Sequence, residues 1–173
     1  MGCRGFEHNE IAPGFAFGHG LSYTTFQIGA ATLSSGTFQA GDTLTVSVPV
    51  TNTGARAGSE VVQCYVSPPS ARLARPVKEL KAFAKVWLEP GETTTVDLVL
   101  EGRAFAYWEP GQDDWDDVQT LLPAMFNLLS PPAPRRERGW QVDAGRYDLL
   151  IGRSSDDAPV RCSVAVPDAT SWR

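Results

Sequence analysis

Hydrophobic and polar residues alternate with a period of two along most of this chain. Across 43–51, Leu44, Val46, Val48 and Val50 fall on one side and Thr43, Thr45, Ser47 and Pro49 on the other. That pattern predicts a half-buried β-strand. Pro49 has no N–H to give to a ladder, so its N–H side must face solvent or a bulge. Asn52-Thr53-Gly54 then breaks the strand. Further strands are predicted at 60–66, with Val62, Cys64 and Val66 on one face, and at 80–88, apolar at Phe83, Val86 and Leu88. Glu89-Pro90-Gly91-Glu92 is a tight turn, because Pro presets φ and Gly tolerates positive φ. Thr93–Leu100 carries Val96, Leu98 and Leu100 inward, with Thr95 and Asp97 outward. In 145–153, Tyr147, Leu149 and Ile151 share a face. In Val160–Val166, Val160, Cys162, Val164 and Val166 do the same. With an early strand near 24–33 the total is about seven.

Short strands separated by Gly, Pro and Asn turns predict an all-β, immunoglobulin-like antiparallel β-sandwich. Burying a Val, Leu or Ile side chain contributes about 1.5–3 kcal/mol, while ordering the backbone costs about 1–2 kcal/mol per residue. The apolar faces must therefore meet in one shared core, which two sheets packed face to face provide. The stretch 116–140 departs from the pattern. Val118, Leu121, Leu122, Met125, Phe126 and Leu129 recur at helical spacing, but Pro123 falls among them and would remove a backbone bond from a helix interior. The stretch 130–138 that follows is Pro-rich and basic, as in a flexible linker.

Composition narrows the function. The chain has 173 residues, 42% hydrophobic and 20% charged, with a formal net charge of −5. Mild acidity argues against nucleic acid, whose binders show a basic stripe, and gives no attraction to anionic membranes. No apolar run approaches the roughly 20 residues that span a bilayer. The first residues lack the apolar core of a signal peptide, and Phe6 stands where a myristoylation motif wants Ser or Thr, so localisation stays unknown. Three cysteines, Cys3, Cys64 and Cys162, are too few and too widely spaced for a disulfide framework or a zinc site. Cys64 and Cys162 sit in apolar alternation, as buried small hydrophobes do; a bridge between them requires their strands to face each other.

The run Phe15-Ala16-Phe17-Gly18-His19-Gly20-Leu21-Ser22-Tyr23-Thr24-Thr25-Phe26 resembles the junction of glycoside hydrolase family 3 β-glucosidases. There the chain leaves the second catalytic domain and enters a C-terminal fibronectin type III-like domain. The resemblance continues through Val50-Thr51-Asn52-Thr53-Gly54 and Gly58-Ser59-Glu60-Val61-Val62-Gln63-Cys64-Tyr65-Val66. It extends through Arg75-Pro76-Val77-Lys78-Glu79-Leu80-Lys81-Ala82-Phe83, Leu88-Glu89-Pro90-Gly91-Glu92, Arg103-Ala104-Phe105-Ala106-Tyr107-Trp108 and Gly145-Arg146-Tyr147-Asp148. Cys3 and Ala16 depart from it, at positions where the family often has Tyr and Pro. The resemblance implies a fibronectin type III-like sandwich over 27–167, a junction remnant over 1–26 and a tail over 168–173. It also implies that 116–140 is an insertion or a retained intron, since Trp115 can run directly into Gln141. The family's aspartate nucleophile and its acid/base glutamate would both precede Met1, and neither carries over to this chain.

On this reading no catalytic residue, cofactor or metal site is expected. The run Asp113-Asp114-Trp115-Asp116-Asp117 is acidic, but four acids around a turn are ordinarily solvated, and the spacing of a calcium loop is absent. His8 and His19 are the only histidines, and no Gly-x-Ser-x-Gly nucleophile motif is present. His19, between two glycines, suits a junction turn, and Arg153-Ser154-Ser155-Asp156 suits a loop. Tyr107, Trp108, Trp115 and Trp140 form either a sugar-stacking platform or packing at the sandwich edge. The resemblance implies interdomain contacts at Phe15, Phe17, His19, Leu21, Tyr23, Arg75 and Lys78. Two functions follow: an accessory domain bracing the catalytic domains of a β-glucosidase-like enzyme, or a free-standing carbohydrate-binding or adhesion module with saccharide as its partner. Nucleic acid and membrane are not expected partners.

Overall fold

The computed structural model describes residues 5–6, 9–39, 41–69, 75–111 and 138–172. The order of elements is β1 (Phe26–Ile28), β2 (Thr32–Leu33), β3 (Leu44–Asn52), β4 (Gly58–Ser67), β5 (Glu79–Leu88) and β6 (Thr93–Leu100). A short helical turn α1 (Gly102–Phe105) follows. The remaining strands are β7 (Tyr107–Glu109), β8 (Gly139–Val142), β9 (Gly145–Gly152), β10 (Val160–Val166) and β11 (Thr170–Trp172). Every ladder between these strands is antiparallel. One sheet centres on β3, with β6 along one edge and β1 and β2 in succession along the other. The second has the order β10-β9-β4-β5, and a small third sheet has the order β11-β8-β7.

The predicted strands form, with ends shifted by a residue or two. The early one is divided into β1 and β2, and the division has a cause in Pro49. Its carbonyl accepts from Gly29 N at 2.8 Å, so its missing N–H points at the same edge, where β1 stops and β2 has not begun. A Cβ at Gly29 would come within 2.7 Å of the Pro49 ring. Glycine is what lets the chain pass there. The turn after β5 is type II: Gly91 has φ 77° and Glu92 N donates to Glu89 O at 3.0 Å.

The core lies between the two larger sheets. Leu44, Val46, Val48 and Val50 of β3 and Val96, Leu98 and Leu100 of β6 face Val62, Cys64 and Val66 of β4 and Tyr147, Leu149 and Ile151 of β9. Phe38, Phe105 and Tyr147 form an aromatic stack within it, with ring centroids 4.5 and 5.3 Å apart. Cys64 and Cys162 are free thiols on opposite sides of β9, paired in register with Ile151 and Leu149. Two strand spacings, roughly 9.5 Å, exceed the reach of a disulfide. Burial pushes the Cys64 thiol up to about 12, and burial raises that of Cys162 as well. Both act as small hydrophobes, and Cys3 lies outside the described residues.

Two features were not visible in the alternation. Phe83 does not share a face with Val86 and Leu88. Strict period two in β5 turns Ala82, Ala84, Val86 and Leu88 toward the core and leaves Phe83, Lys85 and Trp87 outside. The third sheet is the other. Its strand β8 includes Gly139 and Trp140, from the end of the stretch that departs from the pattern, and its β11 lies in the expected tail. Residues 112–137, which hold the acidic run and the helical spacing, are outside the described residues.

Candidate docking face

The segment from Ala16 to Thr25 crosses the outer side of the β10-β9-β4-β5 sheet and is fastened at two places. At the first, Ser155 N donates to Phe17 O at 2.9 Å. Gln63, buried on β4, donates through Nε2 to the carbonyl of Arg153 and, at 3.5 Å, to that of Gly18. Its Oε1 accepts from Tyr65 Oη at 2.6 Å. Gly18 has φ 81°, and a Cβ there would lie 2.4 Å from Gln63 Oε1, so both conformation and space require glycine. Lys78 Nζ donates to Ser155 O at 2.6 Å, which holds the 153–157 loop from its other side. Within that loop Arg153 and Asp157 form an ion pair, and Asp157 N donates to Ser154 Oγ at 3.0 Å.

The second fastening is Asn52, fully buried. Its Nδ2 donates to Arg56 O and Leu88 O, and its Oδ1 accepts from Thr24 Oγ1 and Gly54 N, all between 2.7 and 3.1 Å. Sequence reasoning treated Asn52 only as a strand breaker. It in fact joins the junction segment, the end of β5 and the 53–56 turn. A buried amide that satisfies donors and acceptors on three segments fixes all three.

Between and beside these fastenings the side chains point away from the domain. Leu21 is 95% exposed, Tyr23 92%, Phe15 79% and Phe17 50%. Phe83 and Trp87 of β5 add 68% and 64% to the same side of the molecule. A cleft of about 720 Å³ runs between the junction and the sheet, with His19, Leu21 and Tyr23 on one wall and Val61, Lys85 and Trp87 on the other. His19 packs on Phe15 with ring centroids 5.2 Å apart. Single exposed apolar residues are ordinary, but several on one side of a domain make a candidate interaction surface. The backbone beneath these side chains is hydrogen-bonded to the sandwich.

Of the other predicted site residues, Lys78 supports this face from beneath, as described above. Arg75 turns into the domain: its side chain is only 6% exposed, its guanidinium lies 5.0 Å over the Tyr107 ring and Nη2 donates to Phe105 O at 3.3 Å. Burial raises the pKa of the neighbouring Tyr147, against the opposing pull of Arg75. Of the candidate platform, Tyr107 is buried and donates to Asp143 Oδ1 at 3.1 Å. Trp108 and Trp140 pack edge to face at 5.4 Å, and Arg103 covers Trp140 at 3.7 Å. Trp115, His8 and the acidic run are outside the described residues. Among the described residues no three His, Cys, Asp or Glu side chains converge on a metal-sized site. No helix among them is long and apolar enough to cross a membrane.

The sandwich and the matching family model, described as a fibronectin type III-like domain and covering residues 60–117, define the class of this domain. A probable β-glucosidase I from Aspergillus terreus is 48% identical over 177 residues, covering 99% of this chain and 18% of that protein. The solved β-glucosidase of Kluyveromyces marxianus superimposes with a TM-score of 0.77 at 36% identity, covering 99% of this chain and 17% of that one. A family 3 β-glucosidase from Bifidobacterium adolescentis gives 0.74 at 33% identity, over 98% of this chain and 21% of that one. The chain is homologous to the C-terminal, fibronectin type III-like part of glycoside hydrolase family 3 β-glucosidases. It spans about a fifth of the length of these relatives.

Proposed function

We propose that this chain is a non-catalytic accessory domain that braces the catalytic domains of a β-glucosidase-like glycoside hydrolase, one that hydrolyses O-glycosyl bonds of carbohydrates. The observation that carries the reading is the set of exposed aromatic and aliphatic side chains on a hydrogen-bonded junction, continued by Phe83 and Trp87 on β5. Phe15, Phe17, His19, Leu21 and Tyr23 contact the partner directly on this reading, joined by Phe83 and Trp87. Lys78 and Arg75 hold the loops and strands that carry them. Covering such side chains is worth about 25 cal/mol per Å² of apolar surface, enough for a few aromatics to dominate an interface. On the domain boundaries, the junction over 1–26 leads out of the catalytic partner and onto the sandwich over 27–167. A saccharide is the other partner the reading allows, and the exposed ring of Trp108 favours it.

The test uses the purified chain. It shows no turnover of a chromogenic β-glucoside, and by light scattering it self-associates as concentration rises, because the uncovered face finds a second copy. The double substitution Phe83→Ser with Trp87→Ser restores a monomer. Clear turnover contradicts the non-catalytic reading, and a wild-type monomer at high concentration contradicts the docking face.

A further inference from the structure

We infer that the cleft between the start of β5, α1 and the β7–β8 pair is a binding site for a neutral pyranose oligosaccharide. The inference deepens the saccharide reading above but does not rest on the docking face. The cleft encloses about 750 Å³, within the usual range for small-molecule sites. Its wall carries two tryptophans in register on adjacent strands, Trp108 opposite Trp140, and Trp172, next in register on β11, packs against the core behind them. Trp108 is 46% exposed although its neighbours Tyr107 and Glu109 are buried at 9% and 1%. Trp140 holds it edge to face, and Arg103 stacked on Trp140 closes the back of that ring. Trp108 is thus an aromatic face already fixed in place, so a ligand stacking on it loses little freedom in the protein.

The polar groups beside it are of both signs; Arg75, Glu79 and Lys81 are largely withdrawn from solvent, and Glu101 and Arg103 are exposed. Glu79 and Lys81 line the cleft as an ion pair at 3.1 Å, with side chains 13% and 18% exposed. Arg75 lies next to them, and its Nη1 is buried with no hydrogen-bond partner. The lining holds three cations (Arg75, Lys81, Arg103) and two carboxylates (Glu79, Glu101). An anion meets Glu79 and Glu101; a cation meets the three basic groups. A pyranose fits both features. Its axial C–H face stacks on an indole, and its hydroxyls donate to carboxylates and accept from guanidinium and ammonium groups.

The test is a ¹H–¹⁵N titration of the full chain with cellotetraose. The inference predicts saturable shifts centred on the Trp108 and Trp140 indole N–H and on Arg103. It predicts binding weakened about tenfold or more in Trp108→Ala, the loss of one stacked ring, and largely retained in Trp108→Phe. Trp87→Ala, on the docking face, leaves the affinity unchanged. If Trp108→Ala does not fold, Arg103→Gln supplies the weakened variant. Absence of saturable shifts at tens of millimolar sugar overturns the inference. So do shifts centred on Trp87 and the junction, and so does tighter binding of sulfate at the same resonances, which would make the cleft an anion site.

Discussion

The two faces of β5 invert the usual arrangement of large and small side chains. Inward it offers Ala82, Ala84, Val86 and Leu88, and outward Phe83, Lys85 and Trp87. On β3, in the opposite sheet, the order is the ordinary one: Leu44, Val46, Val48 and Val50 inside and Thr45, Ser47, Pro49 and Thr51 outside. One outer surface is therefore finished with hydroxyls that pair with each other and with Asp97 across strands, as Ser47 with Asp97 and Thr51 with Thr93. The other is finished with aromatic rings beside a junction whose own apolar side chains are exposed. A sandwich needs only one apolar face per sheet. The second apolar face, on the sheet that the junction crosses, is the feature on which the docking proposal rests.

The sharpest test of the inner face is Phe105→Ala. Phe105 is fully buried between Phe38 and Tyr147, and its truncation is expected to cost about 3–5 kcal/mol in urea unfolding. The chemistry of the same face gives the next effect. Cys64 titrates at about 12 in the folded chain and near its ordinary value when unfolded, so the folded state holds its proton longer. Stability is then full below about pH 9 and falls as pH rises toward 12, by about 1.4 kcal/mol per pH unit at most. Unfolding curves of Cys64→Val, compared with the parent, should lack that share of the alkaline slope. An equal slope would mean that the thiol is not dry.

The boundary between the two regions is tested at Asn52. Asn52→Ala strands the carbonyls of Leu88 and Arg56 and the hydroxyl of Thr24, and an expected loss of about 1–3 kcal/mol follows. Hydrogen exchange should also show the Thr24–Thr25 segment opening first. The outer face gives the smallest effect on stability. Phe83→Ser and Trp87→Ser should each change it by no more than about 0.5 kcal/mol. A larger loss would place these rings in the fold and remove the contrast with β3.

The inner face was legible in the sequence, because burial on one side of a strand writes itself as period two. Leu44 to Val50 and Val96 to Leu100 needed nothing more. β5 was harder, because both of its faces are apolar and alternation cannot then say which is inside; the small alanines, rather than the large rings, mark the core. The third sheet was hidden because its strands have three or four residues each and come from distant parts of the chain. The exposed residues of the junction were named from resemblance, whereas the devices that hold them, Gln63 and Asn52, were missed. Nothing local distinguishes an amide that bonds three segments from one that ends a strand. Arg75 shows the converse: a charged residue in a charged loop, turned inward by the Tyr107 ring and the Phe105 carbonyl.

The central claim, that the outer face of β4–β5 with the junction is a docking surface, is tested most directly by adding this chain to the catalytic portion of the Aspergillus terreus relative, truncated before its matching segment, and measuring binding by calorimetry. The account predicts saturable one-to-one binding that Phe83→Ser with Trp87→Ser weakens at least about tenfold. Binding of equal strength by that double variant, or no binding by the parent chain, would contradict it.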